Sequence, residues 1–407
     1  MIGLGIGVGW ATKRRLVNYI NELIKQFKDR VAADGGTFEA EQCLKNTLNT
    51  LGIVVPPTVI TAPVISGSTS IGSVISTTNG VFDGVTPLTY TYQWLLDGSP
   101  ILGATSSTYT LTGYSNGNLT CKVTATNDFG SANSTSNSLT VDNSFDFTIK
   151  TDNLSTGSST NTQFKLPLAS SGTINFIVDW GDGTQNTITT FNQAETLHTY
   201  ASIGTYNIKI VGTLRGWSFN NLGDRLKILN ISKWSGLDIS VNAGFFGCSN
   251  MTSTATDAPI ISTNNIFNYF FNCVNFNGAI GNWDVSNVID FSQMFRSAPA
   301  FNKDIGSWDI SNAVNIGGMF RGATFNQNIG SWNISNITNA TDFMTGKTPA
   351  TFSATNLDAI YNGWSSRPVK PNVSITFGTA KYTAAGQAGK DILTGAPNNW
   401  TIIDGGI

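Results

Sequence analysis

Phe276-Asn277 … Ile280-Gly281-Asn282-Trp283-Asp284-Val285-Ser286-Asn287-Val288 … Met294-Phe295 is followed by Phe301-Asn302 … Ile305-Gly306-Ser307-Trp308-Asp309-Ile310-Ser311-Asn312 … Met319-Phe320. A third copy runs Phe325-Asn326 … Ile329-Gly330-Ser331-Trp332-Asn333-Ile334-Ser335-Asn336-Ile337 … Phe343-Met344. The tryptophans stand at 283, 308 and 332, so the period is 25 and then 24 residues. Self-similarity at such a fixed step is the mark of a solenoid. One copy cannot bury its own apolar residues, whereas stacked copies can. The chain ahead of this array reads as a means of mounting it.

The 407 residues are enough for several domains. Only 12% are charged and 42 are glycine, a composition suited to a mainly β, multidomain chain of short strands and turns. A net charge of −2 gives no long-range field that would draw the whole chain to nucleic acid. His198 is the one histidine. Cys43, Cys121, Cys248 and Cys273 form no C-x-x-C pair, so no zinc site is expected and the four are read as free thiols, mostly buried. Cys248 and Cys273 lie one repeat apart, and a cross-link between them would need an oxidising compartment. No stretch is long enough to span a bilayer. Lys13, Arg14 and Arg15 follow the apolar start instead of preceding it, the reverse of a secretory signal, so a secreted or lipoprotein precursor is not expected.

Residues 1–55 read as a strand with glycine at 3, 5, 7 and 9, then a helical hairpin. Val17, Ile20, Ile24, Phe27 and Val31 are spaced 3, 4, 3, 4, an a/d seam that predicts self-association and anchoring. Asp34-Gly35-Gly36 ends the first helix and Thr37 caps a second. This hairpin is too small for a generous core and must pack on copies of itself or on a larger assembly.

Residues 56–142 begin with a proline-stiffened linker and continue as alternating strands. Leu88 to Trp94 alternates up to the turn Asp97-Gly98, and Leu119 to Ala125 alternates again. Trp94 ahead of Cys121 resembles an immunoglobulin-like sandwich. Val74 stands about where that family carries its second cysteine, so no disulfide is expected. Residues 143–215, centred on Val178-Asp179-Trp180-Gly181-Asp182-Gly183-Thr184, resemble a polycystic-kidney-disease-type (PKD) β-sandwich. Asp179 and Asp182 are too few ligands for a calcium site, and a glycosidase pair is the weaker reading. Asp182-Gly183 is read as a hairpin turn and His198 as a structural hydrogen-bonder.

The order VDWGDGT, HTYASIGTYNIKI, GWSFNN, LKILNISKWSGL, FFGCSNM, ATDAPI and then the FNxxIGxWxxSN copies is similar to the BspA-like leucine-rich-repeat surface proteins of Bacteroidetes and mycoplasmas. The resemblance covers roughly residues 145–345. It implies a repeat region at 216–348, a closing cap at 349–407 and an adhesive role. Within the repeats, Asn287, Asn312 and Asn336 are expected to form an internal ladder, and Trp283, Trp308 and Trp332 the stacked core. Asp284, Asp309 and Asn333 fall between core positions and should point outward as a candidate ligand face.

No nucleophile–base pair, metal cluster or phosphate loop stands out, so the chain is expected to be no enzyme and to use no cofactor or metal. The segment FKDRVAADGGTFEAEQCLKNTL (residues 27–48) is similar to one found at the start of many phage structural proteins. The leading expectation is a virion surface protein, a head fibre, spike or tail-associated adhesin. Its N-terminus would bind capsid or tail proteins, and its distal modules a host-surface glycan or protein. It would be an oligomer, a trimer in a fibre or a pentamer at a vertex. The alternative is a bacterial cell-surface adhesin of the BspA-like family.

Overall fold

A computed structural model describes residues 56–407 apart from 70–71, 85–86 and 112–115, together with Asn18, Tyr19, Glu22, Lys25 and Gln26, which are helical. The seam expected at Val17, Ile20, Ile24, Phe27 and Val31 lies outside the described residues, as does Cys43. The described chain is mainly β and falls into two compact units, one ending at Asp142 and the other running from Asn143 to Ile407.

The first unit contains β1 (Thr58–Thr61), β2 (Ile65–Ser66), β3 (Val74–Thr77), β4 (Val81–Asp83), β5 (Thr89–Leu96), β6 (Ser99–Pro100), β7 (Thr108–Thr110), β8 (Asn116–Asn127), β9 (Gly130–Thr135) and β10 (Leu139–Asp142). β5 and β8 are its long antiparallel pair, in register from Thr89 opposite Thr126 to Leu96 opposite Leu119. β9 and β10 pair with β8, β6 pairs with β5, and a second sheet runs β2-β3-β7. Strand alternation sends Leu119, Cys121, Val123 and Ala125 of β8 inward, against Ile65, Ile75 and Trp94. Trp94 and Cys121 are opposite each other across the strand pair, and both are fully buried. Cys121 is a free thiol, with its pKa pushed up by burial. Val74 is 57% exposed. The inward position on β3 belongs to Ile75, because side chains alternate along the strand.

The second unit opens with β11 (Ser144–Lys150), β12 (Gln163–Lys165), β13 (Ile174–Asp179), β14 (Gln185–Ile188), β15 (Leu197–Thr199), β16 (Thr205–Leu214), β17 (Ile228–Lys233), β18 (Asp238–Ile239), β19 (Thr252–Ser253) and β20 (Ile260–Ile261). Six of them form one sheet in the order β14-β13-β16-β11-β17-β19. Pairing is antiparallel from β14 to β17 and turns parallel at β17–β19. From there the parallel sense continues: β18 with β20, then single bridges Asn265–Asp290, Asp290–Asn315 and Asn315–Asn339. The antiparallel sheet thus serves as the floor on which the repeats stack.

Two columns of rings fill the repeats. Phe270, Phe295 and Phe320 are stacked at 5.7 and 5.8 Å, and Phe276, Phe301 and Phe325 at 6.0 and 6.0 Å. The columns interlock through close pairs, 4.1 Å for Phe270–Phe276 and 3.8 Å for Phe295–Phe301. Trp283, Trp308 and Trp332 are buried beside them. Trp308 Nε1 donates to Ile280 O at 2.9 Å and Trp332 Nε1 to Ile305 O at 3.0 Å, so each indole also ties its repeat to the one before.

The array is closed by α1 (Ala354–Ser365), β21 (Ser374–Thr376), α2 (Ala384–Thr394) and β22 (Thr401–Ile403). Ser353 caps α1 by accepting from Asn356 N, and Thr383 caps α2 by accepting from Ala385 N. Trp364 on α1 donates to Ile329 O at 3.0 Å, in the manner of a further repeat. β21 extends the parallel ladder through a bridge from Ala340 to Ile375. Gly330 and Gly363 make the close approach between last repeat and helix: a Cβ on Gly363 would lie 2.0 Å from Gly330 O. One hydrophobic core runs from Phe145 to Trp400.

Two lysines are buried in this unit. Lys227 donates to Ser159 O, Thr160 O and Gln163 O and faces Asp224 at 3.3 Å, with both side chains fully buried. Asp224 in turn accepts from Ser159 N and Lys165 N. Lys347 occupies the register of Ala298 and Ala323, three residues after the second of the paired large residues. Its Nζ donates to Ala323 O and Phe325 O, both at 2.6 Å.

Candidate functional site

Each repeat begins its bridged segment with an Asn or Asp. Asn265 Oδ1 accepts from Phe267 N at 2.9 Å, Asp290 Oδ1 from Ser292 N at 2.8 Å, Asn315 Oδ1 from Gly317 N at 3.0 Å, and Asn339 Oδ1 from Thr341 N at 3.1 Å. A short side chain that bonds the backbone two residues on is what sets such a turn. The same register then carries a left-handed residue in every copy: Asn268 (φ 58°), Gln293 (55°), Gly318 (62°) and Asp342 (60°). Repetition of that turn leaves a groove of about 480 Å³ along the array. Its floor is the Asn265–Asp290–Asn315–Asn339 column.

Arg296 and Arg321 line the groove in the next register. They continue a column begun by Phe246 and Phe271, whose rings are stacked at 4.6 Å. The Arg296 guanidinium lies over the Phe271 ring at 5.1 Å, and its Nη1 donates to Gln293 Oε1 at 2.7 Å. Arg321 is paired with Asp342 at 2.8 Å, and both side chains are close to half exposed.

Asp284, Asp309 and Asn333 lie elsewhere. All three are exposed and none lines the groove. Their Oδ1 atoms accept from Ser286 N, Ser311 N and Ser335 N, so each closes its own turn. Those bonds from Ser311 hold the Asp309 carboxyl below its ordinary pKa. Asn287, Asn312 and Asn336 are also exposed, which corrects the expected internal ladder. A ladder does link Asn312 Nδ2 to Ser286 O and Asn336 Nδ2 to Ser311 O, both at 2.8 Å, but it runs along the surface. Small turn residues reach the preceding repeat more easily there than through a core filled by rings.

Asp179 and Asp182 flank the connection between β13 and β14. Asp179 accepts from Gly181 N and Gln185 Nε2. Asp182 accepts from Thr184 N, and its Oδ2 lies 2.8 Å from His198 Nε2. The imidazole is stacked on Trp180 at 4.6 Å. Burial opposes the Asp182 charge, but the bonds from Thr184 and His198 outweigh it and hold the carboxyl below its ordinary pKa. These groups are occupied in fastening one turn.

Cys248 and Cys273 are free, buried thiols whose pKa values burial drives up. Among the described residues no group of three or more His, Cys, Asp or Glu is placed to hold a metal ion. No described helix is long and apolar enough to cross a membrane.

Residues 239–358, the segment that contains the groove, match a family model described as "Mycoplasma protein of unknown function, DUF285". No curated protein and no solved structure matches the chain.

Proposed function

We propose that this chain is a non-enzymatic, surface-displayed adhesive protein, with a bacterial cell-surface adhesin of the BspA-like kind as the leading reading. The repeats would be a leucine-rich-repeat-type solenoid seated on a PKD-like sandwich. The first unit would be an immunoglobulin-like spacer. The observation that carries the reading is the groove: a row of solvent-facing polar side chains at a fixed step, held by a rigid core, inside the segment that matches the mycoplasma family. Rigid backbone beneath a polar row is suited to binding an extended ligand with little ordering cost. The virion adhesin is the second reading, favoured by the residue 27–48 segment.

Two measurements test this. Antibodies against the chain should label intact cells of the source, and labelling of phage particles instead would shift the reading to the virion. Purified full-length chain should coat target cells, and Asn315→Ala with Asn339→Ala should reduce the coating at least tenfold without lowering the melting temperature by more than a few degrees. Unchanged coating by a folded double variant would remove the groove from the adhesive role.

A further inference from the structure

The adhesive reading leaves the ligand open, and the inference below rests on that reading. The donors and acceptors of the groove are unequally used. In the floor column each Oδ1 is consumed by its own turn. The Nδ2 groups of Asn265, Asn315 and Asn339 have no acceptor among the described residues, and Asp290 Oδ2 offers an acceptor between them. On the wall, Arg321 is matched by Asp342, but Arg296 at the same register has no carboxylate partner among the described residues. It is nevertheless held in place, by Gln293 at its edge and the Phe271 ring at its face. A positioned guanidinium with unused N–H groups is the arrangement that takes a planar oxyanion in two parallel hydrogen bonds.

The floor points to what carries that oxyanion. Neighbouring bridged segments rise by about 4.8 Å, close to the length of one pyranose in an extended polysaccharide. Amide donors at three of the four steps, Asn265, Asn315 and Asn339, suit hydroxyl and ring oxygens, and the Asp290 carboxylate at the remaining step suits a sugar hydroxyl as donor. Phe267 contributes a half-buried ring to the lining, and the remaining lining side chains are polar or glycine. Tight peptide sites depend on buried apolar anchors, which this groove does not provide.

We infer that the groove binds an extended acidic polysaccharide, with a sugar carboxylate on Arg296 and the neighbouring residues laid along Asn265, Asn315 and Asn339. The asymmetry between the two arginines sets the polarity: the acidic sugar sits at the Arg296 step, and Arg321 serves mainly to hold Asp342.

The test is calorimetric titration of the full chain with three uronate polymers (polygalacturonate, alginate and hyaluronate). Methyl-esterified polygalacturonate, dextran sulfate and poly-glutamate serve as comparisons. The expected result is binding to at least one uronate polymer and at least tenfold weaker binding of the esterified form. Arg296→Gln should lose at least tenfold, Arg296→Lys should recover only part of it, and Arg321→Gln should lose less than threefold. Preference for dextran sulfate with the same Arg296 dependence would keep the oxyanion site and overturn the carboxylate. Equal binding of poly-glutamate would overturn the polysaccharide. If no probe binds but Asn315→Ala with Asn339→Ala still abolishes cell coating, the acidic-sugar inference falls and the groove reading stands. If neither probes nor cells respond to any groove variant, both fall.

Discussion

Trp364 Nε1 donates to Ile329 O at 3.0 Å, the same bond that Trp332 makes to Ile305 O and Trp308 to Ile280 O. The first of these tryptophans is helical and the other two lie in turn-rich repeats, yet all three sit one step above their acceptor. The cap therefore docks by copying the joint between repeats. Trp364→Phe and Trp332→Phe should each cost about 1 kcal/mol beyond the lost volume, the net worth of one hydrogen bond, because Ile329 O and Ile305 O keep only their backbone donors Trp332 N and Trp308 N. Trp283 Nε1 has no partner among the described residues, so Trp283→Phe should cost only the volume. Urea unfolding of the three variants checks the order, and equal losses would mean the bond adds nothing.

Alanine is ordinarily favoured over glycine in a helix by up to about 1 kcal/mol. Gly363→Ala should do the opposite, since the new Cβ would lie 2.0 Å from Gly330 O and no flexible side chain is there to yield. A loss of about 2 kcal/mol or more in the same unfolding assay is expected. A stabilised variant would show that the helix shifts freely on the last repeat.

Burial holds the Lys347 ammonium at a pKa of about 8, against an ordinary value of 10.5. Below pH 8 folded and unfolded chains are both protonated and the full cost of the buried charge is present. Between pH 8 and 10.5 the unfolded chain binds more protons, so stability should rise with pH, by up to about 3 kcal/mol in total. Chemical denaturation across that window should show the rise in the wild-type chain relative to Lys347→Met. A constant difference between the two would place the ammonium in a wetter environment than the fold provides.

Asp224→Ala strands the Lys227 charge in a site with no exposure. A loss of about 3–5 kcal/mol is expected. Adding Lys227→Met should return part of it, and the non-additivity is read from a double-mutant cycle. Strict additivity would mean that Lys227 is satisfied by Ser159, Thr160 and Gln163 alone.

The aromatic skeleton of the repeats was legible because Phe, Trp and Met recur at a step no solvent-facing residue would need to keep. The repeats' reach was less so. Phe245 and Phe246, and Phe270 and Phe271, hold the registers of Phe295 and Arg296, Lys347 holds that of Ala298 and Ala323, and Trp364 makes the bond of Trp332, but in copies whose other positions have drifted. The groove was present in the sequence as Asn265, Asp290, Asn315 and Asn339, spaced 25, 25 and 24 like the tryptophans. The sequence does not single it out, because Asp284, Asp309 and Asn333 share both its residue types and its period. Only the fold tells which Asx column closes an outer turn and which floors a groove. Val74 shows the same limit at one residue: alternation is plain in β3, but its phase is set by what lies across the core.

The joint at Trp364 also bears on how such an array changes over time. The cap contacts the last repeat through the same indole-to-carbonyl bond that joins the repeats from Ile280 onward, and the antiparallel sheet meets the parallel ladder at β17–β19. Duplication of one 25-residue segment, or its loss, leaves both ends with the partners they already had. The array can thus lengthen or shorten in whole steps, while Lys347 stays in the final copy as the mark of where counting stops.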